Sequence, residues 1–298
     1  MSFMVKTPAA SRMVCVLLAG LVFASHCSAA EAQIPPQAWQ SSLTPRTAGT
    51  FPMIAPFTAT FRFGWGRIEA AQANATVTTS GPVTSVTVRG GTVGAARALW
   101  KIDVVHNARF LTKDLNPLGF EQKESYGNRR VLTRAEFRSD GLWRIREHEP
   151  SASLAKWKPI RIEPIRDIVS AMFFVRSQSL TNGQTVGLIA FPGDAPFLVE
   201  AKVLGRDKVR VGEALHPAIK LEMRLQRLRL EKGRPPRLEE HGKFRRGTVW
   251  ISDDANRLPL RAEVEIFVGS VFAELVSCSL PGFQVASWQK PDSVGKPD

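Results

Sequence analysis

Cysteine is scarce in this chain, with three among 298 residues. Cys15 and Cys27 fall near the N-terminus, which leaves Cys278 alone in the rest of the sequence. A lone thiol excludes an internal disulfide framework. No histidine stands near it in sequence to activate it, so it reads as a small apolar side chain near the end of the last strand. Histidine is sparse too. His106, His148, His216 and His241 stand far apart, and none has a partner at the three- or four-residue spacing that brings two ligands together on a helix. Zinc requires three or four converging ligands, so no metal site is predicted. The Gly-x-Ser-x-Gly elbow of serine hydrolases is missing, and Gly90-Gly91-Thr92-Val93-Gly94 lacks the lysine and hydroxyl residue of a phosphate loop. The sequence therefore predicts no catalytic residue, no cofactor-binding residue and no cofactor. Asp103, Asp253 and Asp254, near strand ends, keep glycan hydrolysis as a distant third reading. Yet Ser252-Asp253-Asp254-Ala255-Asn256 is equally good turn chemistry, with Arg257 placed to pair with Asp254 across it.

Long apolar runs are missing as well. The run from Met13 to Ala24 falls short of the roughly 20 residues needed to span a bilayer. Lys6 and Arg12 precede it, and Ser28-Ala29-Ala30 and Ala30-Glu31-Ala32 follow with small-x-small spacing. That order of charge, apolar core and small residues is a secretory signal, so residues 1–32 are expected to be removed on export to the periplasm. Lipid anchoring at Cys27 is disfavoured, because His26 stands where a small residue is needed. The whole chain carries a net charge of +13, and removing Lys6, Arg12 and Glu31 leaves +12. Inside a cell that excess points to nucleic acid. For an exported chain it points instead to phospholipid head groups and acidic polymers, and no nucleic-acid partner is expected.

Residues 33–56, rich in Pro, Ala, Ser and Thr, read as a flexible arm. A single β-sheet domain is expected over 57–280 and a flexible tail over 281–298. Within the domain the dominant signal is alternation. Phe57, Ala59, Phe61 and Phe63 share one face, as do Val131, Thr133, Ala135 and Phe137. Leu221, Met223 and Leu225 form another such set. Ala262, Val264, Ile266 and Val268 alternate with Arg261, Glu263, Glu265 and Phe267, which predicts the former set buried and Arg261, Glu263 and Glu265 in water. Turns are predicted at Gly64-Trp65-Gly66, Ser139-Asp140-Gly141, Asn182-Gly183 and Gly205-Arg206-Asp207. The apolar phase shifts after Leu225 to Leu228 and Leu230, which predicts a bulge near Gln226 and Arg227. Residues 231–242 read as a solvated loop.

Asp167 to Leu180 breaks the β pattern. Asp167 is a capping residue, Ile168, Met172 and Val175 recur at helical spacing, and Val169 and Phe173 widen the apolar stripe. This predicts a helix buried on more than one side and ended by Asn182-Gly183. Val93 to Ile102 is a second, weaker helical candidate.

In order and spacing, several segments resemble the bacterial exported family known as domain of unknown function 3108. They are Phe57 to Ile68, Asp167-Ile168-Val169-Ser170 leading to Phe174-Val175-Arg176, and Val203-Leu204-Gly205-Arg206. Gly247-Thr248-Val249-Trp250-Ile251-Ser252-Asp253-Asp254, Arg257-Leu258-Pro259, Gly269-Ser270 and Leu275 complete the set. The resemblance implies a curved antiparallel sheet, a half-barrel similar to the outer-membrane lipoprotein-carrier fold, with one or two helices on its concave side. It implies no activity. The expected function is a non-catalytic binding module for an amphiphile or anionic envelope component, with Ile168, Met172, Phe173 and Val175 as cavity or lid residues. The alternative is a scaffold or accessory subunit that meets another envelope protein.

Overall fold

Alternation of small and branched apolar residues with polar ones forces the chain into strands that bury one face. In a computed structural model, residues 38–50, 55–66, 68–150, 155–231, 234–240, 246–266 and 269–280 are described. The predicted signal segment and C-terminal tail lie outside them. The described strands run in chain order β1 (Phe57–Trp65), β2 (Ile68–Ser80), β3 (Val83–Thr92), β4 (Ile102–Leu111), β5 (Pro117–Tyr126), β6 (Arg129–Arg138), β7 (Gly141–Glu149) and β8 (Lys158–Ile160). They continue with β9 (Ile165–Asp167), β10 (Thr185–Phe191), β11 (Phe197–Val211), β12 (Ala214–Arg229), β13 (Arg237–Glu240), β14 (Arg246–Ser252), β15 (Pro259–Ile266) and β16 (Gly269–Cys278). Among the described residues two α-helices accompany them, α1 (Gly94–Leu99) and α2 (Ile168–Ser177), with a 3-10 turn at Ala38–Ser42.

All strands belong to one sheet in the order β8-β7-β6-β5-β4-β3-β2-β1-β16-β15-β14-β12-β11-β10-β9, with β13 beside β12. Pairing is antiparallel except between β9 and β10. Strands β8 and β9 lie at opposite ends of this order, yet only residues 161–164 separate them. That stretch reaches at most about 18 Å, so the sheet must curl until its two ends approach. Arg144 on β7 accordingly donates a hydrogen bond to the Gly193 carbonyl just beyond β10, at 3.2 Å. The sheet is open and strongly curved, with no ladder closing it into a barrel among the described residues. Its concavity holds α2, while α1 fills the β3–β4 connection and buries none of its side chains.

The inward faces follow the alternation. Phe57, Ala59 and Phe63 are buried, as are Val131, Thr133 and Ala135. On β15, Val264 is buried, Ala262 is half-buried and Glu265 is exposed, while the Ile266 side chain and Val268 lie outside the described residues. Arg261 and Glu263 are half-buried rather than fully wet. They lie opposite Val264 in a network where Glu274 accepts from Arg62 at 2.7 Å and also from Arg261, and Glu263 accepts from Arg261 at 2.8 Å.

Three local expectations are corrected. No register break occurs at Gln226 and Arg227; both pair regularly with β11 and β13. Leu228 instead occupies the other face of β12 and pairs with Leu238 on β13. The bulge falls at Val203–Gly205, where Gly205 has φ 147, so Gly205-Arg206-Asp207 continues β11 rather than reversing the chain. The 231–242 stretch is not all solvated loop, because β13 lies within it and buries Leu238.

The stretch read as a flexible arm differs most. Residues 51–54 and 33–37 lie outside the described residues, but residues 38–50 pack on the sheet. Trp39 is buried in the core at 3% exposure, and Leu43 packs beside it. Thr44 and Gly187 on β10 exchange hydrogen bonds, Thr44 N–H to the Gly187 carbonyl at 2.8 Å and Gly187 N–H to Thr44 Oγ1 at 3.0 Å. The segment thus covers a stretch of β10 that would otherwise leave a bare sheet edge. A Cβ on Gly187 would sit 2.0 Å from the Ser42 carbonyl oxygen. Gly187→Ala is therefore expected to cost about 1–3 kcal/mol and to loosen residues 38–50. Limited proteolysis checks this: the variant should be cut in that segment at protease levels that spare wild type.

Candidate functional site

Helix α2 starts where the sequence places it. Asp167 is fully buried at the N-cap, and its carboxylate accepts from the backbone N–H groups of Val169 at 2.9 Å and Ser170 at 3.2 Å. The Ser170 hydroxyl donates to the other carboxylate oxygen. Both flanks are held by arginines. Arg166 stacks over the Phe174 ring at 4.2 Å and donates to the carbonyls of Leu115 and Arg46. Burial pulls its pKa down to about 10. At the other end, the helix stops at Ser177, short of Asn182-Gly183. There Arg257 donates to the carbonyls of Arg176 at 2.8 Å, Ser179 at 3.1 Å and Gln178, satisfying the acceptors that a helix C-terminus leaves open. Asp254 accepts from the backbone N–H of Asn256 and of Arg257.

Between α2 and the inner faces of β1–β3, β10–β12 and β14–β16 lies a cavity of about 340 Å³. That volume is within the range of small-molecule sites, about 300–1,000 Å³. Phe61, Val88, Leu188, Val199, Leu221 and Val249 are typical of its walls. All four residues proposed from the sequence line it: Ile168, Met172, Phe173 and Val175. Their situations differ. Phe173 is buried and packs against Phe110 with ring centroids 5.1 Å apart, whereas Met172 is 39% exposed and marks where the cavity meets solvent.

Charged residues on this wall are Arg176, Arg261 and Glu263. The last two belong to the opposite face of β15, where they bond each other. Arg176 is different. It is 4% exposed, and its guanidinium lies over the Phe173 ring at 4.8 Å. In the sequence Arg176 stands only within the segment Phe174-Val175-Arg176 that resembles the family pattern. The available signal was its being the lone charge between Ile168 and Leu180.

The carboxylates considered for hydrolysis do not converge on the cavity. Asp103 pairs with Arg97 at 2.8 Å, Asp253 with Arg206 at 3.2 Å, and Asp254 serves its own turn. Cys278 is half-buried, and burial raises its pKa, which keeps it a neutral thiol. Among the described residues no three His, Cys, Asp or Glu side chains group as metal ligands. His106, expected to be an ordinary histidine, is buried on β4, stacked on Phe120 at 5.1 Å with Nδ1 3.0 Å from Gln122 Oε1. Burial lowers its pKa, against the upward pull of Asp167 and Glu124. A histidine held neutral contributes stability above its unfolded pKa of about 6.5, and that contribution is lost as pH falls through the lower folded value. Burial raises the Asp167 pKa, whose contribution is lost as pH rises, so the two slopes oppose. Comparing wild type with His106→Gln isolates the histidine. Between about pH 7.5 and pH 5, wild type should lose more melting temperature than the variant.

A family model described as protein of unknown function (DUF3108) matches residues 56–276. A beta-barrel-like protein of domain of unknown function DUF1849 from Brucella abortus is similar at 8% identity, covering 76% of this chain and 98% of its own, with a TM-score of 0.48. A protein with a YmcC-like fold from Bacteroides fragilis is similar at 10% identity, covering 78% of this chain and all of its own, with a TM-score of 0.35. Identities this low carry no functional information. None of the curated proteins matches the chain. No helix among the described residues is long and apolar enough to cross a membrane. The matched span runs from the start of β1 almost to the end of β16, and the chain belongs to the DUF3108 family of proteins of unknown function.

Proposed function

We propose that this chain is a non-catalytic binding module of the bacterial periplasm that holds the apolar part of an amphiphile in the cavity beside α2. The observation that carries this reading is the cavity itself: about 340 Å³ among the described residues, with walls almost wholly apolar and the exposed Met172 on its lining. Close-packed interiors leave few voids of that size. With Asp167, Arg166 and Arg257 fixing its ends, α2 serves as a wall of the site rather than as a hinged lid. The strongly basic balance of the chain suits it to anionic surfaces where amphiphiles reside.

A fluorescent fatty acid should be taken up saturably. The melting temperature should rise with free ligand, by the equivalent of about 2.7 kcal/mol at a hundredfold excess over Kd. Uptake that never saturates, with an unchanged melting temperature, would remove this reading. The scaffold reading draws on a different observation. Trp65 and Ile68, flanking the β1–β2 turn, and Leu99 and Trp100, at the end of α1, are exposed large apolar residues. Contact between α1 and β2 sets them at one end of the molecule. Such a grouping suits a protein partner.

A further inference from the structure

We infer that Arg176 is the head-group site of this cavity, and that the amphiphile it selects is anionic, with a carboxylate or phosphate end. The inference rests on the reading that the cavity holds an amphiphile, and adds the chemistry of the ligand's polar end. Arg176 lines the cavity near the C-terminal end of α2. Nη2 donates to the Asn256 carbonyl at 2.8 Å, while Nε and Nη1 are buried without an acceptor. Buried donors normally have partners, and a buried cation without a counter-charge is more costly still.

Among the described residues no anion forms a salt bridge or hydrogen bond with the guanidinium. Asp254 is near enough to attract Arg176, yet its Oδ1 already accepts from two backbone N–H groups and from the Ser252 hydroxyl. Cys278, also nearby, is held as a neutral thiol by burial. The remaining charged neighbour is Arg257, a second cation committed to carbonyls of the helix end. Burial lowers the Arg176 pKa to about 9, which leaves it charged at neutral pH. Two free donors on a buried guanidinium, beside an apolar cavity, fit a ligand with one anionic end and one hydrocarbon end. An oxyanion would accept from Nε or Nη1 through charge-assisted bonds, while the chain lies along the apolar walls.

The test compares twelve-carbon chains that differ only at the head: dodecanoate, 1-dodecanol and dodecyltrimethylammonium, each competed against a fluorescent fatty acid on the intact protein. Dodecanoate should bind about tenfold or more tighter than dodecanol, and the cationic amphiphile should bind most weakly. Arg176→Met should bring dodecanoate down to the affinity of dodecanol and leave dodecanol unchanged, whereas Arg176→Lys should keep part of the preference. Equal binding of dodecanoate and dodecanol by wild type would overturn the head-group assignment and leave the amphiphile reading standing. A folded Arg176→Met that kept the full preference would do the same. Binding of none of the three would overturn the amphiphile reading itself. If Arg176→Met does not fold, the wild-type ranking alone decides.

Discussion

Phe173→Ala should destabilise the protein by about 3–5 kcal/mol, the cost of emptying a large buried aromatic site. Phe173 is 4% exposed, meets Phe110 across α2 and β4, and carries the Arg176 guanidinium on its ring. Truncation therefore removes an aromatic pair and a cation–π contact together with the buried area. Its neighbour should behave differently. Met172→Ala removes a 39% exposed side chain at the opening of the cavity, and its stability cost should stay within about 1 kcal/mol. Its effect should appear in uptake, because a flexible thioether at the mouth shapes entry. Urea denaturation of both variants checks the contrast. Equal losses would mean that α2 packs in a different rotation.

The second large effect concerns the cavity. Ala75 lies in the middle of β2, opposite Ala59 on β1 and Val88 on β3, and lines the cavity wall. Ala75→Trp sends an indole into that space and should weaken uptake of the fatty-acid probe by tenfold or more, about 1.4 kcal/mol of binding free energy. Because the new ring enters an opening rather than a packed core, the fold should tolerate it at a cost of about 1–2 kcal/mol, the lower part of the overpacking range. A fluorescence titration beside a melting curve reads both. Wild-type uptake by Ala75→Trp would place the probe elsewhere on the molecule.

Much of this was legible because it is local. Period-two alternation marked the inward faces of β1, β6 and β12, and Asp167 announced the start of α2 by the capping rule. What escaped depends on contacts between residues distant in sequence. Arg257, read as a turn partner of Asp254, reaches carbonyls some eighty positions away at the end of α2. Thr44 joins β10 across 143 positions, so a Pro- and Ser-rich composition concealed a docked segment. Leu228 falls on the face opposite Leu221 by plain alternation and is buried where β13 brings Leu238 beside it, a partner that no reading of one strand alone could anticipate. Helical spacing put Ile168, Met172, Phe173 and Val175 on α2, where they line the cavity, whereas Arg176 takes its meaning from two buried donors without an acceptor.

Native mass spectrometry of the protein purified gently from its own cells, before and after addition of dodecanoate, addresses the amphiphile cavity most directly. A chain that holds an anionic amphiphile beside α2 should fly with one extra mass in the lipid range, or acquire a single dodecanoate, and Ala75→Trp should do neither. A bare polypeptide mass in both samples, with wild type and Ala75→Trp indistinguishable, would contradict it.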